Sequence, residues 1–194
     1  MNNIKTYISN SSIQRIQKHK YLTSKTPESE KYNKDVYKNI VRLLIISQQN
    51  NSNECLIIFD DTNGDIWHPV KGQEHTVRFD KQTYNMLKYN SNTCSIIHNH
   101  PNNSPFSLQD LATTLIFTNI SRSYVVTNDG KRIYVFIKSN IFRRNIYTYI
   151  GKLLKKLIAQ KKLDGHSDPV KYIKLMKFIG LKCRGYYNQG GQTP

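Results

Sequence analysis

Acidic residues are scarce in this chain. Of its 194 residues only 13 are Asp or Glu, against 29 Lys or Arg, which leaves a net charge of +16 with the histidines neutral. Heavy lysine usage does not explain so few acids, and such a balance favours polyanionic partners. Cysteine is equally sparse. Cys55, Cys94 and Cys183 stand far apart with no CxxC pair, which excludes a disulfide framework. Cys55 and Cys94 lie in apolar, strand-like runs and read as buried free thiols. No run approaches the roughly 18–20 apolar residues that cross a bilayer. The opening "MNNIKTYISNSSIQ" lacks the apolar stretch of a secretory signal. The expectation is a soluble cytoplasmic protein with no membrane partner, with secretion as an effector or toxin left open.

The hydrophobic fraction is a modest 38%, but it is clustered, enough for one domain of about 120–150 residues with its own core. Residues 1–30 are polar and read as a poorly packed N-terminal arm, with "SIQRI" as a short helix. Val36, Ile40, Leu43 and Leu44 follow helical spacing between Lys34 and Gln48. "ECLIIFD" (54–60) is a buried strand, and "DDTNGD" supplies an Asn-Gly hairpin turn. "HTVRFD" (75–80) alternates as a further strand, and "DKQTYNMLKYN" follows it as a short helix. "TCSIIH" (93–98) is a strand, and Leu108, Leu111 and Leu115 stripe a helix from 108 to about 119. "SYVVT" and "RIYVFIK" flank an Asp-Gly turn. A helix spans 140–162, its apolar face formed by Phe142, Ile146, Tyr149, Ile150, Leu153, Leu154 and Leu157. "VKYIKLMKFIGLK" (170–182) reads as a short basic helix. This order predicts a mixed α/β (α+β) domain at 31–163 with a mainly antiparallel sheet flanked by helices, followed by a basic extension at 164–194.

The chemistry concentrates in "SIIHNHPNNSPFSLQDL" (95–111). Residues i and i+2 of a strand share a face, so His98 and His100 can reach one ion. Zinc accepts neutral imidazole nitrogens and carboxylate oxygens, and a catalytic site keeps three protein ligands and one open position. Asp110, one turn inside the helix that starts after Ser107, supplies the third. Ser107-Leu-Gln-Asp110 also has the form of a capping box, the ordinary structural reading of the same residues.

The pattern H-x-H, loop, S-x-x-D resembles the signature of the JAB/MPN metalloenzyme family (the JAMM motif), best known for deubiquitinating isopeptidases. "HNHP" is similar to RadC-type proteins, and "NSPFSLQDL" and "VVTNDGKRIYVF" resemble JAB domains of phage and polymorphic-toxin proteins. Six residues separate His100 from Ser107, the shorter spacing of the phage-like group. The resemblance runs from about Glu54 to Ile137. It implies a JAB/MPN-like (cytidine-deaminase-like) fold, Zn2+ as cofactor, and a general base upstream of the histidines. Glu54 matches that base in position and context, with Glu74 as the alternative. A carboxylate there takes a proton from zinc-bound water and passes it to the leaving amine. Ser107 would hydrogen-bond the oxyanion.

Two lookalikes are excluded. "HNH" here is contiguous, unlike the widely spaced residues of the nuclease class of that name, and a zinc deaminase needs H-x-E with a later P-C-x-x-C. His68 and His75 have no partner at ligand spacing and would at most line the substrate groove. Trp67 reads as a core or rim anchor and His166 as a turn residue. Ser139 to Leu163 contains no acidic residue, so Arg143, Arg144, Lys152, Lys155 and Lys156 form a candidate nucleic-acid surface, and nearby tyrosines could stack on bases. The expected function is a zinc hydrolase acting on a peptide or isopeptide bond, of a ubiquitin-like protein among other substrates. The alternative is a nucleic-acid-directed protein on the same fold, a metal-dependent nuclease or a repair-associated binder.

Overall fold

The computed structural model describes residues 4–18, 27–89, 92–138, 144–167 and 181–187; for 27–32, 68, 144 and 181–187 it describes the backbone alone. In chain order the elements are α1 (Asn10–Lys18), α2 (Pro27–Gln49), β1 (Cys55–Asp60), β2 (Ile66–Lys71), α3 (Lys81–Tyr89) and β3 (Cys94–His100). They continue with α4 (Leu108–Ile116), β4 (Ile120–Thr127), β5 (Arg132–Lys138), α5 (Arg144–Ala159) and β6 (Leu181–Tyr187). The six strands form one sheet in the order β2-β1-β3-β4-β5-β6. Only β3 and β4 run parallel. A parallel pair needs a crossover connection, and α4 provides it, so α4 begins at the carboxyl end of β3. The chain is thus a mixed α/β protein with a mainly antiparallel sheet flanked by helices, as its sequence predicts.

Strand alternation divides the core between two faces. Ile57 and Phe59 of β1, Ile97 of β3, Val126 of β4 and Val135 of β5 pack with Ile40, Leu43 and Leu44 of α2. Leu56, Ile58 and Ile96 point the other way, toward Leu87 of α3 and Phe117. On that same side Val125 and Phe136 meet Leu108, Leu111 and Leu115 of α4, with Tyr147 and Leu154 of α5. Each such side chain taken wholly out of water contributes roughly 1.5–3 kcal/mol. Helices α4 and α5 touch closely at Gly151, where a Cβ would come within 2.9 Å of the Ala112 carbonyl oxygen and the Ile116 nitrogen.

Several expectations are corrected. The described part of the N-terminal arm is packed: Ile8, Ile13 and Ile16 are buried against α2 and the sheet. The Thr6 N–H bonds the Pro101 carbonyl at 2.6 Å, and Gly130, at φ +67° in the β4–β5 turn, lies directly beneath the Ser12 carbonyl. A side chain at 130 would be strained by both its φ and that neighbour. The second strand is 66–71; residues 75–80 contribute only an isolated bridge between Gln73 and Thr76. Pro69 disguised this strand, and it is tolerated because β2 lies at the sheet edge, where a missing N–H costs little. Helix α4 stops at Ile116 rather than about 119. The helix expected at 170–182 falls on residues outside the description up to 180, and 181–187 forms β6 beside β5. The boundary expected at 163/164 therefore does not separate the extension from the sheet. In α5, Tyr147 and Leu154 are buried, whereas Ile146, Tyr149 and Leu153 are exposed; Phe142 lies outside the described residues. Among the described residues no helix is long and apolar enough to cross a membrane.

Ile16 tests the packing of the arm. It is 1% exposed, and Ile16→Ala is expected to lower unfolding free energy by about 2–5 kcal/mol in a urea titration. A loss below roughly 0.5 kcal/mol, the range of surface substitutions, would mean a loosely attached segment.

Candidate metal centre

Strand β3 ends in His98-Asn99-His100, and all three side chains are buried. Alternation sends the two imidazoles to the α4 side of the sheet and Asn99 to the α2 side. Glu54, directly before β1, is also buried and faces the imidazoles, because β1 and β3 pair with Leu56 opposite His98. Asp110 enters from the first turn of α4. Ser107 is the N-cap of that helix, and the capping box is complete. The Asp110 N–H donates to Ser107 Oγ at 3.2 Å, while the Ser107 N–H and O–H each donate to Asp110 Oδ2 at 2.7 Å. The cap therefore fixes the carboxylate as well as the helix start.

The donor atoms converge. His98 Nε2 and His100 Nε2 are 3.1 Å apart, Asp110 Oδ1 is 3.3 Å from the first, and Oδ2 is 3.5 Å from the second. Ligand atoms about 2.0–2.1 Å from a tetrahedral zinc lie about 3.3–3.4 Å from one another, so the triangle has the right size. Its hydrogens also fit. Ser104 Oγ gives its proton to Asn102 Oδ1 at 2.7 Å, and His100 Nδ1 lies 3.0 Å from Ser104 Oγ and 3.1 Å from the Ser104 carbonyl. Nδ1 must then be the donor, which leaves the Nε2 lone pair aimed at the triangle. At such distances that lone pair and the Asp110 carboxylate are bridged by a cation, either a proton on Nε2 or a metal ion. His98 has no such anchor: its Nδ1 is buried without a hydrogen-bond partner, and the ring is held edgewise by Phe106 and His100.

Electrostatics set the charges of the cluster. Burial opposes ionisation of Asp110, but His98 and His100 outweigh it and hold the carboxyl well below the usual carboxylate range. Burial likewise opposes charge on His100, yet Asp110, Glu54 and the Ser104 carbonyl raise its pKa. Burial pushes the Glu54 carboxyl up, partly offset by the two histidines, which moves it toward the range of a working base. Glu54, His98 and His100 each offer a ligand atom within 4.8 Å of the others, so this buried cluster can hold a metal ion. The Asp110 oxygens also sit at ligand-to-ligand spacing from the two imidazoles.

Asn99, the spacer between the histidines, carries a role that sequence reading missed. Its Oδ1 accepts the Cys55 N–H at 2.8 Å, and its Nδ2 donates to the Asn53 carbonyl at 3.2 Å. It thereby grips the backbone on both sides of Glu54. The same amide reaches Ser47 Oγ of α2 at 3.0 Å and Asn128 Oδ1 of the β4–β5 turn at 2.7 Å. Ser104 was missed too. The residue type and position of Asn99 were visible, but nothing local reveals that the α2 side has polar partners for it.

A groove of about 510 Å³ opens beside the centre, lined by Glu54, His98 and Asp110 at one side and by Leu56, Ile96, Val77 and Phe79 along its wall. Glu74 is not among its walls; it is exposed and 3.2 Å from His75 Nε2, so of the two glutamates only Glu54 lies at the centre. Trp67 is half-buried against the Leu56 cluster. The His68 side chain lies outside the description, as do Arg143 and the side chain of Arg144. Lys152 and Lys156 are exposed on α5, whereas Lys155 is half-buried and lines the groove. His166 is an exposed turn residue, and the carbonyls of its neighbours Gly165 and Ser167 accept the N–H groups of Gln109 and Leu108 at the start of α4 at 3.0 and 2.9 Å.

Compared with protein-family models, curated proteins and solved structures, the chain gives no significant match in any of the three.

Metal analysis of purified protein tests the ligand set. Wild type is expected to carry about one zinc per chain, and His98→Ala, His100→Ala and Asp110→Ala to carry none after dialysis. Ser107→Ala, which frees the carboxylate, should weaken zinc about 10–100-fold. Zinc retained at wild-type affinity in all three alanine variants would refute the site.

Proposed function

We propose that this chain is a zinc-dependent hydrolase of the JAMM type that cleaves a peptide or isopeptide bond. The convergence of His98, His100 and Asp110 at tetrahedral spacing, with the Glu54 carboxylate beside them, carries this reading. The resemblance of H-x-H, loop, S-x-x-D to the JAB/MPN signature supports it. Zinc held there acidifies water and polarises a carbonyl. Glu54 is the base that takes the proton from the attacking water and hands it to the leaving nitrogen, and its raised pKa suits both transfers. Asp110, kept ionised, holds charge opposite the metal. Ser107 gives its one O–H to Asp110, so it serves as oxyanion donor only by releasing that bond when the substrate binds. The groove, within the range of about 300–1,000 Å³ of small-ligand clefts, takes a short extended segment such as the tail of a ubiquitin-like protein.

Glu54→Gln separates base from ligand. Zinc content is expected to stay at the wild-type level while cleavage of a fluorogenic peptide and isopeptide library falls at least about 100-fold. Loss of zinc in this variant would make Glu54 a ligand instead. No cleavage by zinc-loaded wild type across the library would count against the hydrolase itself.

A second reading has its own observation. Lys152, Lys156, Lys161 and Lys162 are exposed on or just after α5, in a stretch with no acidic residue between 139 and 163. This face is proposed to bind nucleic acid. Double-stranded DNA should bind with a log–log salt slope that falls in magnitude by roughly 2 when Lys152 and Lys156 are both changed to Ala. Absence of binding at low salt would remove this reading.

A further inference from the structure

Lys155 departs from the other lysines of its helix. Lys152 and Lys156 are solvent-exposed, but the Lys155 side chain is half-buried in the wall of the groove that also holds Glu54, His98 and Asp110. It makes no hydrogen bond or ion pair with any described residue. Burial lowers its pKa. A partly desolvated ammonium without a partner is costly, and ordinary packing would turn so flexible a side chain out to water. Its place in the groove is explained if an anion completes it.

The charges of the groove point the same way. A divalent metal at the centre is balanced by Glu54 and Asp110. Lys155 and the exposed Arg78 then remain as two positive groups with no matching negative charge in the lining. Gln109 and Thr113 add neutral polar groups, and Leu56, Val77 and Phe79 form an apolar wall.

We propose that Lys155 is a specificity residue that anchors a carboxylate of the substrate, so that the preferred substrate is an acyl chain or peptide with an acidic group near the scissile carbonyl. This rests on the hydrolase reading and deepens it. A carboxylate is favoured over a nucleic-acid backbone by the form of the site. One half-buried cation in a recess of about 510 Å³ suits one small anion, whereas a phosphodiester chain is held by a row of exposed cations.

Hydroxamates that chelate zinc give a probe independent of turnover. Dicarboxylic monohydroxamates over a series of spacer lengths, and the same compounds with the terminal carboxylate replaced by a primary amide, would be titrated calorimetrically into zinc-loaded protein. Wild type and Lys131→Gln, a change at an exposed turn residue outside the groove, are expected to prefer the carboxylate to the amide by about tenfold at the best spacer length. Lys155→Gln should bind both alike, at the wild-type affinity for the amide, and Lys155→Arg should restore part of the preference. An undiminished preference in Lys155→Gln, or no preference in wild type while both compounds bind, overturns the proposal and leaves the hydrolase reading standing. Failure of every hydroxamate to bind zinc-loaded wild type removes the hydrolase reading and this proposal together. Displacement of the hydroxamate by a short oligodeoxynucleotide from wild type, but not from Lys155→Gln, would assign the site to a phosphodiester and overturn the carboxylate.

Discussion

The rest of the site depends on one buried amide, that of Asn99. A buried polar side chain must find partners or cost a few kcal/mol, and Asn99 finds four, on the backbone around Glu54, on α2 and in the β4–β5 turn. Because strand residues alternate, satisfying this amide on the α2 face obliges His98 and His100 to face α4. A slip of one residue in β3 would send the imidazoles into the α2 core and leave the amide among α4 side chains. The network extends outward: Asn128 Nδ2 donates to the carbonyls of Thr6 and Ser52 at 2.8 and 3.0 Å. The N-terminal segment is thereby tied to the rear of the candidate metal centre, and fixing β3 also fixes Glu54, the two imidazoles and that segment behind them.

On the other face the same economy appears at the start of α4. The capping box satisfies helix N–H groups and holds the Asp110 carboxylate with the same atoms. The two N–H groups that the box does not reach are taken by carbonyls from 165 and 167, so the segment after α5 completes the frame of Asp110, which lies more than fifty residues earlier. Asp110 sits where the helix dipole favours negative charge, in addition to the two imidazoles that keep it ionised.

Helix α5 serves two environments. Tyr147 and Leu154 pack toward α4, Gly151 allows the close approach, and Lys155 emerges one turn later into the groove. Lys152 and Lys156 face water. A uniformly basic helix is therefore not a uniformly basic surface.

Much of this was legible in the sequence. The His98/His100 alternation, the Ser107–Asp110 cap, the Asp129-Gly130 turn and the buried runs of β1 and β3 are local patterns, each dictated by the geometry of a few consecutive residues. Glu54 entered through a resemblance and was placed only by the pairing of β1 with β3. The edge strand carrying Pro69, the packed N-terminal segment, the strand at 181–187, the four bonds of Asn99 and the inward turn of Lys155 were not legible. Each depends on what lies across the sheet or on the neighbouring helix, and burial of a side chain is a property of its neighbours. The sequence by itself determined which groups could bind a metal and on which repeat they stood. Only the tertiary structure decided which of them meet, because convergence of donors from β1, β3 and α4 is a consequence of strand order and helix packing that no local spacing encodes.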